Sequence, residues 1–308
     1  MKIYSLLAPF SILALSSVSA IGTFAQNAPL HEEKGIIYIE PLFQYPVAPE
    51  EIISLEDKSN WLMEHFWDSF DFKSKNAVDQ NALNDAFNVY SHPMRWADKD
   101  VVMQSTDKLL ATLSKNPVLL LQFTKAAEEN LYGPRAMAYI DEVYLKYLDA
   151  IEKCKKIAPE RKARYKRQNK ILKNSMIGTI PPSFVFDTPT GAKETFRPGL
   201  LTVIEFGDPD CSDCRHAKLK MDTDLRFSSL VEKGKINVLF IIPDPEDDWQ
   251  NQLADYPKLW HSGASDEVSD LLDMRATPFF YVIGTDGKII DKTDNVEKAM
   301  TTAIESVK

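Results

Sequence analysis

The segment Ile177-Gly178-Thr179-Ile180-Pro181-Pro182 divides the chain into two regions with different hydrophobic periods. From Pro49 to about Ser175, apolar residues recur at helical spacing with no sustained period-two alternation. The spacing predicts helices over 51–70, 80–90, 99–113 and 118–131, separated by Pro93, Pro117 and Gly133-Pro134. Beyond Pro182, β-rich runs at 183–187, 193–196, 201–206, 235–242, 279–283 and 288–290 alternate with helical stretches at 211–231, 266–272 and 296–307. The implied architecture is α+α/β: an all-helical domain, then an α/β sandwich around a central mixed sheet. No fixed repeat makes the helical part a solenoid. A chain of 308 residues suits about two domains, expected here as 26–176 (helical) and 177–308 (α/β), after a signal peptide at 1–25.

That signal peptide is read from Met1-Lys2, an apolar stretch over 3–15, and small residues ending at Val18-Ser19-Ala20 and Thr23-Phe24-Ala25. Cleavage is expected after Ala20 or Ala25. A spanning helix needs roughly 20 mostly apolar residues, and serines interrupt this run too early. No stable membrane span is therefore expected after processing, and the mature protein should be periplasmic or secreted. A net charge of −9 argues against a chain-wide nucleic-acid surface.

In an oxidising compartment, three cysteines in a chain of this length are too few for a disulfide framework. Two of them form Cys211-Ser212-Asp213-Cys214, directly after the apolar run 201–206 and at the head of a helical stretch. The first thiol sits where unpaired N–H groups and the helix dipole stabilise negative charge, so the pair reads as a reversible two-electron switch. Cys154 shares a helical stripe with Tyr147, Ile151 and Ile157 or Ala158; it reads as a packed thiol, with a resolving or intermolecular role as the alternative. Arg215 stands where a haem attachment site needs His, and His31, His65, His92, His216 and His261 lack zinc-ligand spacing, so no metal is expected. The aromatic group Trp61, Phe66, Trp67, Phe70 and Phe72 reads as bundle core or as a ligand face. The basic run 153–173 reads as a solvated helix face or as a partner-docking or membrane-surface face. Trp249 and Trp260 either pack or border a groove.

Three marks in order carry a family resemblance: the strand ending Ile204-Glu205-Phe206, the Cys211-x-x-Cys214 helix start, and Arg275-Ala276-Thr277-Pro278-Phe279 before a strand and an Asp286-Gly287 hairpin. From about Gly178 onward the chain resembles the thioredoxin superfamily, in particular its secreted thiol-disulfide oxidoreductase branch of TlpA and ResA type. The upstream half is similar to helical regions of unassigned function fused ahead of such domains. The resemblance implies that Cys211 is the nucleophile and Cys214 the resolving thiol. It also implies that Glu205 is a buried acid exchanging a proton with Cys214, although strand alternation alone leaves open an outward side chain. A cis Thr277–Pro278 bond with the Thr277 backbone facing substrate is implied likewise. No cofactor beyond the dithiol is implied; the partners are protein thiols or disulfides and an unidentified electron donor. Asp210 replaces the Trp common before the first cysteine. With Asp208 and Asp213 it puts like charge beside a thiolate, which argues for a reducing or intermediate potential. The alternative is a partner-binding or assembly factor whose thioredoxin-like half does not turn over.

Overall fold

The computed structural model describes residues 41–73, 77–134, 136 and 139–307; the expected signal peptide lies outside them. Six helices come first: α1 (Leu55–His65), α2 (Gln80–Ser91), α3 (Lys99–Leu113), α4 (Pro117–Leu131), α5 (Asp141–Lys153) and α6 (Pro159–Asn174). Their starts follow from local chemistry. Ser54, Asp79, Asp98 and Asn116 each accept a first-turn N–H, and Pro117 and Pro159 occupy first-turn positions where no donor is needed. The apolar faces meet around Trp67, Phe87, Tyr90, Phe123 and Tyr147. The aromatic group is thus largely core: Phe66, Trp67 and Phe70 are buried, and Phe72 packs against them. Cys154 is buried in the same cluster, just past the end of α5. Among the described residues no helix is long and apolar enough to cross a membrane.

The second half holds β1 (Phe184–Asp187), β2 (Lys193–Phe196), β3 (Thr202–Phe206), α7 (Ser212–Thr223), α8 (Leu225–Glu232), β4 (Asn237–Ile242), α9 (Trp249–Gln252), β5 (His261–Ala264), β6 (Phe279–Ile283), β7 (Ile289–Thr293) and α10 (Val296–Glu305). The strands form one mixed sheet ordered β2-β1-β5-β4-β3-β6-β7. β3 pairs in parallel with β4 and antiparallel with β6. Alternation along these strands fills two layers. Ile204, Phe206, Ile241 and Tyr281 face one cluster; Val203, Val238 and Phe280 face another with Ala217 of α7 and Ala299 of α10.

Three local expectations needed correction. The helix expected over 211–231 breaks at Asp224, whose side chain accepts from Arg226 and Phe227 N–H groups and so starts α8. The stretch 266–272 forms only a short 3-10 turn at Val268–Asp270. β5 was not anticipated, because His-Ser-Gly-Ala carries no β-branched or aromatic residue. Its Gly263 lies so close to β1 that a Cβ there would meet the Asp187 carbonyl oxygen at 2.3 Å, so backbone proximity rather than side-chain preference selects the sequence.

Candidate functional site

The β3 strand ends at Phe206, and the chain turns through Gly207-Asp208-Pro209-Asp210 into α7. Cys211 is the N-cap of that helix: its sulfur accepts the Cys214 N–H at 3.4 Å, taking the place a Ser or Asp oxygen usually fills. Its thiol is half-buried and points at the Thr277 carbonyl oxygen, 3.7 Å away. Cys214, one turn further, is fully buried, and its sulfur accepts the Asp208 N–H at 3.4 Å. Both cysteines are free thiols. A Cβ on Gly207 would lie 3.1 Å from the Cys214 sulfur and 2.9 Å from Phe240, so only glycine lets the strand end pass beneath this helix.

Glu205 points inward, toward the layer that holds α7. It aligns with Phe240 of β4 and Phe280 of β6, is 0% exposed, and neither carboxylate oxygen has a hydrogen-bond partner. Burial pushes its carboxyl well above the usual range, and Cys211 adds to this. Burial also raises the Cys214 thiol; the Asp208 N–H opposes that rise, while Cys211 and Glu205 add to it. The Thr277–Pro278 bond is cis, with Thr277 exposed and Pro278 buried. The five residues singled out from sequence therefore converge: Cys211 and Thr277 meet near the surface, Cys214 is buried one turn in with Glu205 below it, and Pro278 is buried next to Thr277. Trp249 and Trp260 are packed in the core.

Sequence reasoning missed Tyr256. Its ring packs on Phe240 at 4.5 Å, its buried hydroxyl has no partner, and Lys218 of α7 lies 4.7 Å over its ring. Burial raises its phenol, with further contributions from Glu205 and Cys214. It also missed the anchorage of the Thr277 loop. Asp273 accepts from Arg275 Nε at 2.9 Å, from Lys292 Nζ at 2.8 Å and from the Tyr132 hydroxyl at 2.8 Å. Asp141 of the helical half binds the same two cations, at 2.5 Å from Arg275 Nη2 and 2.7 Å from Lys292 Nζ. The Arg275 guanidinium lies 4.3 Å over the Tyr132 ring and 4.6 Å over Tyr139. Burial would raise Asp273, but Arg275 and Lys292 outweigh it and hold its carboxyl at about 2.

Residues 17–175 match the family model described as "Domain of unknown function (DUF5106)". The chain belongs to the DUF5106 family. The fold of this DUF5106 protein is thioredoxin-like in its second half. It is similar to a thioredoxin-like protein from Bacteroides caccae at a TM-score of 0.72 and 21% identity, over 87% of this chain and 99% of that one. Shorter matches include a conserved protein of unknown function from Bacteroides fragilis (27% identity, TM-score 0.39, 42% of this chain and 98% of that one). Another is the thioredoxin domain of a thiol-disulfide oxidoreductase from Bacteroides vulgatus (18% identity, TM-score 0.38, 43% and 99%). No curated protein matches the chain.

Proposed function

We propose that this protein is an exported thiol-disulfide oxidoreductase that exchanges disulfides with protein cysteines, using no cofactor beyond Cys211 and Cys214. The observation that carries this reading is the vertical order of the site: an accessible helix-capping thiol, a buried thiol one turn in, and an unpartnered buried carboxyl beneath. A structural crosslink would need none of this order. In the reductive direction, the Cys211 thiolate attacks one sulfur of the partner disulfide. The new S–S bond forms as the partner's bond breaks, and the departing partner thiolate takes up a proton. Glu205, once it has released its own proton to solvent, takes the proton of Cys214, which attacks the Cys211 sulfur. The partner's second thiolate leaves and is protonated, and the protein keeps the two-electron oxidation as a Cys211–Cys214 disulfide. The exposed Thr277 backbone holds the partner segment in extended form. An electron donor must reduce the pair again for the next turnover.

Exposed Asp208, Asp210 and Asp213 around the pair support a reducing or intermediate potential. The apolar N-terminal stretch supports export, with cleavage after Ala20 or Ala25. The test uses reduced protein with insulin as disulfide substrate. Reduction should be abolished by Cys211→Ser, while Cys214→Ser should accumulate a mixed disulfide on Cys211. Partner capture that survives Cys211→Ser, with no insulin reduction by wild type, would instead mark a binding or assembly factor.

A further inference from the structure

Thr277 separates two clefts. One, of about 480 Å³, runs past Asp213 and His216 on the dithiol flank. The other, of about 330 Å³, shares Ala276 and Thr277 with it and lies between the two halves of the molecule. Its walls are Tyr132 and Ile171 of the helical half against Phe206, Pro243 and Leu272 of the thioredoxin-like half. Polar and apolar surface share this lining about equally: Ser269, Asp273, Arg275 and Thr277 supply polar groups, and the five wall residues supply a strip of aromatic and aliphatic surface.

We propose that this second cleft is part of the substrate groove, receiving a large apolar side chain from an extended polypeptide whose target cysteine lies over Cys211. The helical half then serves as one wall of the exchange site. This rests on the thiol-disulfide exchange reading and assigns its substrate class.

Three observations carry it. The cleft adjoins the dithiol at Thr277, which lines it and whose carbonyl oxygen lies 3.7 Å from the Cys211 sulfur. The adjoining backbone is available: among the described residues, the N–H groups of Ala276 and Thr277 donate no hydrogen bond. An extended segment paired there has its side chains alternating toward and away from the protein, so neighbours of the cysteine reach the cleft. Finally, the walls are held at fixed separation. Asn174 Nδ2 donates to the Leu271 carbonyl at 3.0 Å, the Asp273 N–H donates to Ser175 Oγ at 2.9 Å, and Arg275 bridges to Asp141. A preformed cleft binds without an ordering cost.

The test compares two probes: insulin, whose disulfides lie in polypeptide, and 2-hydroxyethyl disulfide, which has no chain. Ser269, half-buried on the cleft lining, is replaced by Trp to fill the space without removing a core side chain. S269W should raise KM for insulin about tenfold, equivalent to roughly 1.4 kcal/mol, with the small disulfide changed less than about twofold. A second measurement needs no variant. Among cysteine-disulfide peptides in which Phe is scanned through four positions on either side of the cysteine, wild type should prefer one position over Ala by about tenfold in KM. Equal effects of S269W on both probes, an unchanged insulin KM, or a flat peptide scan would overturn the cleft assignment while leaving exchange intact. Wild type inert toward both probes would overturn the exchange reading and the cleft with it.

Discussion

Glu205 and Asp273 are the two most deeply buried carboxylates among the described residues of the thioredoxin-like half, and their surroundings are opposite. Asp273, 1% exposed, has two cations, a tyrosine hydroxyl and its own N–H bond to Ser175. Glu205, 0% exposed, has nothing. The first is held ionised and far below the ordinary range; the second is driven up toward the neutral form. Removal from water is common to both, so pairing decides the sign. A fully paired carboxylate cannot readily take a proton, which suits a joint between halves. An unpaired one beneath a thiol can take and release one, which suits an exchange reaction.

The hardest blow to this contrast is Asp273→Asn. It leaves Arg275 and Lys292 sharing Asp141 alone in a buried site, and breaking such a pair costs about 3–5 kcal/mol. Urea unfolding should report that loss at pH 7; a change below about 1 kcal/mol would show that the joint is not a stabilising element. The pH sign is fixed by the lowered folded value. Stability from Asp273 is present above its unfolded pKa of about 3.9 and is lost as pH falls toward about 2. The Asp273→Asn protein should lack that acid limb.

Glu205→Gln inverts the prediction. With a folded pKa above the unfolded one, the wild-type site is at full stability below about pH 4.3 and loses it as pH rises toward the folded value. The variant, which does not titrate there, should therefore gain relative to wild type as pH rises above about 4.3. Its chemistry should suffer: resolution of the mixed disulfide should slow by about tenfold or more at pH 8, with formation unchanged. Rapid-quench trapping measures both steps, and an equal resolution rate at every pH would remove Glu205 from the mechanism.

The reach of sequence differs between the two carboxylates for a physical reason. Glu205 lies six residues before Cys211 on a strand that runs straight into the helix start, so its place is set by local geometry and shared motif. Asp273 pairs nearby with Arg275 and Lys292, but its part in the joint comes through Asp141 and Tyr132, 134 residues from Arg275 and 141 residues from Asp273 respectively. No periodicity encodes that pairing. Helices α2 and α3 and strands β2 and β6 were legible from period and caps alone, whereas β5 was hidden because contact with β1 demands glycine. Tyr256 was hidden likewise, since its neighbours Phe240 and Lys218 come from a strand and a helix distant in sequence.

A third carboxylate on the same joint gives the smallest expected effect. Asp270 pairs with Arg167 of α6, as Asp273 pairs with Arg275, but both side chains remain mostly in water, at 67% and 63% exposure. Solvent screens their attraction, and ordering two side chains offsets part of what remains, so an exposed pair contributes about 0–1 kcal/mol. Arg167→Ala should lower stability by no more than that, with the difference shrinking further in about 1 M salt as the screening length falls to roughly 3 Å. A loss approaching that of Asp273→Asn would mean that charge alignment across the joint, rather than burial, gives the Asp273 cluster its strength.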